Sequence, residues 1–98
     1  MAEDLTHATF RGLVGQTFLI GAEQSDSLPL VLIEANLLHG RSGRTERPPF
    51  SLVFRGPRDP WLPQRMYSVW HEALQNAILF LVPMGPGPEG MLYEAIFN

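Results

Sequence analysis

The sequence predicts one all-β domain: a small antiparallel β-sandwich or partly open barrel of about six strands, preceded by a short N-terminal helix. Short apolar segments rich in β-branched and aromatic residues recur along the chain, and clusters of Gly, Pro and polar residues separate them. The length of 98 residues leaves room for a single hydrophobic core, so the domain is expected to span 1–98. Because a six-stranded sheet cannot bury both faces by itself, it must fold over or gain a partner.

The N-terminal segment 1–15 is the part that favours a helix. Phe10, Leu13 and Val14 have the i, i+3, i+4 spacing of one helical face, and Gly15 stands where a helix-ending glycine would. We therefore expect a helix of about two turns that lies on the core, although Gly12 inside the segment weakens the pattern.

The rest of the chain alternates strand patterns with turns. The predicted strands cover 16–21, 30–38, 50–54, 66–71, 77–82 and 91–97. Short turns join the last three, so an antiparallel meander is expected there. Strand 77–82 is apolar on both faces, which is typical of a strand covered on both sides. An Arg-rich loop at 40–49, a Pro-rich loop at 55–64 and a Gly/Pro turn at 83–90 complete the chain.

Composition excludes several classes of protein. There is no cysteine, which removes disulfides, thiolate catalysis and zinc ribbons. The longest apolar run, 77–82, is far shorter than the roughly 20 residues of a membrane-spanning helix. The acidic first residues lack the order of a secretory signal, so the cytoplasm is the default compartment, with export by a dedicated machine left open.

Charge is segregated along the chain. The net charge is −4 over residues 1–40, +4 over 41–65 and −3 over 66–98, which gives −3 in total. Every positive residue is arginine, whose planar fork suits bidentate pairing with carboxylates or phosphates at interfaces, although genomic bias toward arginine codons explains the usage equally well. A net negative protein is not expected to bind nucleic acid through its whole surface.

The sequence contains no recognisable catalytic, cofactor-binding or metal-binding motif. The histidines His7, His39 and His71 lie about 32 residues apart, without the short spacing of zinc ligands. No serine sits in a Gly-x-Ser-x-Gly elbow, and the prolines of Gly85–Pro88 lack the amide hydrogens that a phosphate loop must donate. Glu34 and Glu94 lie within predicted strands, where a carboxylate is either a tuned acid or base, a solvent-facing group or an arginine's partner.

Two loops are the candidate contacts with a partner protein. Arg41, Arg44 and Arg47 form a basic loop without the interleaved aromatic residues that single-stranded nucleic acid would require. In the loop 55–64 three prolines stiffen the chain, which lowers the ordering cost of binding. Tryptophan and arginine are enriched at interface hot spots, so Arg55, Arg58, Trp61 and Leu62 are predicted contacts. In the alternative interpretation Trp61 caps the core under a rigid crossover.

Several strings resemble a family of small bacterial proteins of unknown function. They are Phe-Arg-Gly-Pro at 54–57, Leu-Pro-Gln at 62–64, Leu-Phe-Leu-Val-Pro at 79–83 and Tyr-Glu-Ala-Ile-Phe-Asn at 93–98. The resemblance runs from about Leu5 to the C-terminus. Such proteins are similar to ones encoded near phage-tail-collar-like or fibre-like genes, which implies an assembly or accessory role. Arg65 and Gln75 stand where that pattern commonly has glycine.

Three functional hypotheses follow. The first is a non-enzymatic structural or assembly module that self-associates or docks on a larger tail-like or fibre-like particle. The alternative is a small-molecule or peptide-binding domain with a pocket near Tyr67, His71 and Glu94. An enzyme is the third, and it would require His71 to share a concave pocket with Glu34 or Glu94. Neither a nucleic acid nor a membrane is an expected partner.

Overall fold

The structure, a computed structural model, describes residues 5–21, 27–38 and 49–97. Within these ranges the chain forms one short helix and six strands, which confirms the predicted all-β class. The elements are α1 (His7–Arg11), β1 (Thr17–Ile20), β2 (Leu28–Leu37), β3 (Phe50–Gly56), β4 (Arg65–His71), β5 (Gln75–Gly87) and β6 (Gly90–Phe97).

The six strands form a closed barrel in the order β1-β2-β3-β6-β5-β4. All neighbouring strands are antiparallel, and β4, β5 and β6 form the expected meander. The pairing of β4 with β1 closes the sheet through two residue pairs, Leu19 with Trp70 and Ile20 with Val69. Of the two architectures that the sequence left open, a barrel is therefore the one formed, and it is closed where the sequence analysis expected it to be partly open.

Side chains fill the interior of the barrel because residues alternate between its two faces. On β3, Phe50, Leu52 and Phe54 are buried, and their period-two spacing places all three on the inner face. Tyr93 and Ala95 of β6 are buried on the inner face as well. The fully buried side chains of largest volume are Tyr93, Phe10, Phe18, Phe54, Leu30, Leu32, Leu52, Leu79, Leu81 and Val69. Together with their buried neighbours they form one continuous core.

Helix α1 seals one end of this core. Phe10 is fully buried, and its ring centroid lies 6.5 Å from that of Phe18, 5.9 Å from Phe50 and 5.6 Å from Phe97. Thr6 caps the helix in a reciprocal capping box with Thr9. The helix is shorter than the expected two turns because it ends at Gly12, and residues 12–15 form turns instead. Within the described ranges no helix is long and apolar enough to cross a membrane.

Strand β5 is longer than the sequence predicted. The segment 83–87, expected as a turn, continues β5 and pairs with the start of β6, Pro83 with Tyr93 and Pro86 with Met91. The pairing of β5 with β4 stops at Leu81, so these prolines lie where one side of β5 has no ladder partner. A proline, which lacks an N–H, is tolerated at such an edge.

The backbone at Gln75 shows why the pattern that this sequence resembles commonly has glycine at this position. Its φ angle is 63°, in the left-handed region that favours glycine. The position begins β5 after the tight turn from β4, which is why glycine suits it. Gln75 compensates in part, because its side-chain amide donates a hydrogen bond to the carbonyl of Glu72 at 2.9 Å.

We expect Phe10→Ala to lower the free energy of unfolding by about 3–5 kcal/mol, because it opens a cavity among three aromatic rings. Urea denaturation followed by circular dichroism measures this change. Val14→Ala is the matched control, since Val14 follows the same helix but is 44% exposed, and it should change stability by less than about 0.5 kcal/mol. Equal effects of the two substitutions would contradict the role of Phe10 as the end plug.

Candidate functional site

The Pro-rich loop, which the structure places at residues 57–64, seals the other end of the barrel. Side-chain hydrogen bonds hold it in place. The Arg58 guanidinium donates to the carbonyl of Gly87 at 2.7 Å, and the Leu62 N–H donates to the Tyr93 hydroxyl at 2.8 Å. The Tyr67 hydroxyl donates to the carbonyl of Pro63 at 2.6 Å. The loop is therefore fixed both to the β5–β6 hairpin and to the barrel interior.

These bonds separate the predicted contact residues into two groups. Arg58 also approaches the carbonyl of Pro88 at 3.3 Å, and Leu62 packs against the core, so both serve the fold. Trp61 is 53% exposed and is presented by the fixed loop. Of the two roles considered for Trp61, capping the core or contacting a partner, the first is filled by Leu62, and Trp61 faces outward. Arg58→Ala would loosen the loop as well as any interface.

Arg55 lies on the outer wall of β3, between Val31 of β2 and Leu92 of β6. Its Nη1 atom is 3.4 Å from Oε1 of Glu89, at the tip of the β5–β6 hairpin. Shallow depressions lie on both sides of this ion pair, and Arg55 and Glu89 line both of them. The other predicted arginines, Arg41, Arg44 and Arg47, belong to the 40–49 loop and lie outside the described residues.

The outer wall of β4, β5 and β6 carries an apolar patch, here called the outer patch, formed by Met66, Ile78, Phe80 and Ile96. Their side chains are between 44% and 60% exposed. Met66 is the cross-strand partner of Phe80, and Ile78 lies two residues before Phe80 on the same face of β5. On β6, Ile96 lies two residues beyond Glu94, the partner of Val82, and Phe80 lies two residues before Val82, so Ile96 extends the same outer face onto a third strand.

The sequence signal for this patch is the second apolar face of strand 77–82. Strand 77–82 was expected to be covered on both faces because it is apolar on both. Its inner residues, Ala77, Leu79 and Leu81, are buried as expected, but the prediction was wrong for Ile78 and Phe80 on the outer face. A closed barrel has no second layer, so nothing in the described chain covers them.

The hypothesised grouping of His71 with Glu34 or Glu94 does not assemble. His71 points into the barrel and is 8% exposed, and its ring centroid is 4.7 Å from that of Phe18. Glu34 and Glu94 lie on the outer wall, both in register with Val53. The wall of the barrel thus separates the imidazole from both carboxylates.

His71 has a structural role at the end of β4. Its Nδ1 atom accepts a hydrogen bond from the N–H of Ala73 at 2.9 Å, so the proton of the neutral ring lies on Nε2. That nitrogen donates to the side-chain oxygen of Gln16 at 2.8 Å. Both ring nitrogens are therefore used in hydrogen bonds to the turn after β4 and to the start of β1.

The predicted pocket of Tyr67, His71 and Glu94 is not formed. His71 and Tyr67 contact different ends of the barrel, and Glu94 faces outward.

Metal ligation finds no support among the described side chains. Within 5–21, 27–38 and 49–97 no three His, Asp or Glu residues come close enough to hold an ion. His7 is used elsewhere, since its Nε2 donates to the carbonyl of Ala35 at 3.0 Å and ties α1 to β2.

Burial of the two tyrosines at the loop end changes their ionisation. Desolvation raises the pKa of Tyr93, an effect partly offset by the hydrogen bond from the Leu62 N–H and reinforced by the nearby Tyr67. Desolvation also raises the pKa of Tyr67, partly offset by the charge of Arg65. The neutral phenols are therefore the forms that the folded state favours.

Comparison with known proteins identifies one family. A family model described as a domain of unknown function (DUF6916) matches residues 5–97, nearly the whole chain. No curated protein and no solved structure matches significantly.

We expect Tyr93→Phe to lower the free energy of unfolding by about 1–3 kcal/mol, because the Leu62 N–H loses its acceptor in a partly buried site. Chemical denaturation measures the loss. The matched control is Ser68→Ala, which removes a 3.4 Å hydrogen bond on the outer wall and should change stability little. If the Tyr93→Phe protein is as stable as the wild type, the hydrogen bond from the Leu62 N–H to the Tyr93 hydroxyl does not stabilise the fold.

Stability should also fall at alkaline pH. Since both tyrosine pKa values are raised in the folded state, their contribution is fully present below the ordinary pKa of about 10 and is lost as pH rises through the raised values. Urea midpoints between about pH 8 and 11.5 measure this loss. Tyr93→Phe should flatten the alkaline slope, whereas an unchanged slope would show that Tyr93 does not cause it.

Proposed function

The chain belongs to the family of domains of unknown function DUF6916, and on this premise we propose that it is a non-enzymatic assembly module, which self-associates or docks on a larger protein assembly. The observation that carries the proposal is the outer patch of Met66, Ile78, Phe80 and Ile96. Contiguous exposed apolar side chains are a common mark of a protein–protein interface.

The architecture favours a contact on the outer wall. Among the described residues, buried side chains fill the barrel interior, and α1 and the loop 57–64 cover its ends. Each strand pairs with a neighbour on both sides over at least part of its length, and the stretch of β5 beyond Leu81, which has no partner on its β4 side, contains prolines that hinder strand addition. A contact through side chains of the wall or the loops is therefore favoured.

The size of the patch sets the expected strength of the contact. Covering the exposed half of one large apolar side chain contributes about 1 kcal/mol. When two copies face each other through this patch, the four side chains of each copy are covered. The free energy gained in this way lies within the range of about 4–15 kcal/mol that association costs. We therefore expect weak, concentration-dependent self-association, which further contacts such as Trp61 or the simultaneous binding of several copies would strengthen.

The charge map supports the same class of function, because the basic region 41–65 complements the acidic regions before and after it in another copy. That the larger assembly is tail-like or fibre-like rests on the resemblance of the sequence and stays a prediction. The alternative, a peptide-binding domain, is supported by the depressions beside Arg55 and is developed below.

We expect the mass in solution, measured by size exclusion with light scattering, to rise above the monomer value of 11.0 kDa with concentration. The double substitution Ile78→Thr with Phe80→Thr should restore the monomer, because threonine keeps β propensity and removes the apolar contact. Leu37→Thr is the matched control: Leu37 is 49% exposed on β2 outside the patch, and its substitution should not change the mass.

Salt distinguishes the two kinds of contact. Association through the outer patch should persist at high salt, whereas association guided by the arginine loops should weaken. An unchanged mass in the double variant would contradict a contact through the patch. A wild-type mass of 11.0 kDa at every concentration would contradict self-association and leave docking on a different protein.

A further inference from the structure

The two depressions beside Arg55 are neighbours on the outer wall, because Arg55 and Glu89 line both of them, and together they are here called the groove; none of the residues that line them belongs to the outer patch. Apolar residues line it on both sides of the Arg55–Glu89 ion pair. Those residues are Pro29, Val31, Ile33, Pro57, Pro88 and Leu92. From Pro29 to Ile33 strand β2 advances four residues, or about 13 Å, so the groove is about as long as four or five extended residues.

The groove is preformed because the hairpin that forms its rim is fixed. Arg58 holds the carbonyls of Gly87 and Pro88. Below the tip, Gly90 lies so close to β3 that a Cβ atom there would collide with the carbonyl of Gly56. A preformed site loses little conformational entropy when it binds.

Arg55 supplies a positive charge at the centre of this apolar groove. Its present partner, Glu89, lies on the hairpin tip with 73% of its side chain exposed, and the atoms are 3.4 Å apart. Such an exposed ion pair stabilises a protein by at most about 1 kcal/mol. A carboxylate from another molecule can therefore replace Glu89 at little cost, and the arginine fork can bind it through two hydrogen bonds.

We propose that the groove binds an extended acidic segment of a partner protein, with one carboxylate on Arg55 and apolar neighbours on either side. Glu89 is the internal carboxylate that the segment displaces. The groove is open along its length, which suits a peptide better than a small molecule, because small-molecule sites enclose most of their ligand. The site shares no residue with the outer patch, so it stands or falls separately from the proposed self-association.

Methyl NMR on the full chain tests the proposal. The chain has four isoleucines: Ile33 in the groove, Ile78 and Ile96 in the outer patch, and Ile20 against the core. The probe is the peptide acetyl-Ser-Val-Glu-Val-Ser-amide, and the control peptide carries Gln in place of Glu. We expect the acidic peptide to shift the δ1-methyl signal of Ile33 in a saturable manner and the other three signals to stay in place.

Variants of the ion pair give the decisive comparison. Arg55→Gln should weaken binding of the acidic peptide at least tenfold, and Glu89→Gln should strengthen it several-fold because the internal competitor is removed. Thermal melts of both variants should stay near that of the wild type, since the pair is exposed. Weaker or unchanged binding in Glu89→Gln, equal binding of the Gln peptide, or no shift of Ile33 would overturn the proposal.

Discussion

Closure of the sheet is the constraint on which the rest of the structure depends. Once β4 pairs with β1, the six strands enclose a narrow interior that side chains must fill at the density of a protein core. Closure also creates two open ends, where the core would meet water. Phe10 of α1 fills one end, and Leu62, held by the Tyr93 hydroxyl, covers the other. The short helix and the Pro-rich loop are therefore parts of one solution to the same problem.

The same closure determines where the protein can interact. Side chains fill the interior and the strands pair with one another over most of their length, so the function that we propose places recognition on the outer wall and the loops. Two surfaces there differ in chemistry: the outer patch is apolar, and the groove beside Arg55 combines apolar walls with one exchangeable ion pair. An assembly module with both could join copies of itself through one surface and engage an acidic segment through the other.

The sequence predicts the strands well because their signal is local. The alternation of Phe50, Leu52 and Phe54 assigns inner and outer faces within β3 without knowledge of its neighbours. Closure could not be predicted in the same way, since it depends on pairs such as Leu19 with Trp70, which are distant in sequence. For the same reason the sequence could not separate the roles of two nearby arginines: Arg58 holds a hairpin about 30 residues away, whereas Arg55 faces a groove. The outer patch was within reach, because Ile78 and Phe80 made their strand apolar on both faces, but only the barrel shows that no second layer covers them.

We propose that the outer wall of β4, β5 and β6 is the contact surface. The concentration dependence of the four isoleucine δ1-methyl signals, measured without any added ligand, tests this most directly. We expect the signals of Ile78 and Ile96 to shift or broaden as the protein concentration rises, while those of Ile20 and Ile33 keep their positions. If the signals of Ile78 and Ile96 stay unchanged while the mass rises, or move no more than those of Ile20 and Ile33, the contact lies elsewhere and the outer patch is not the interface.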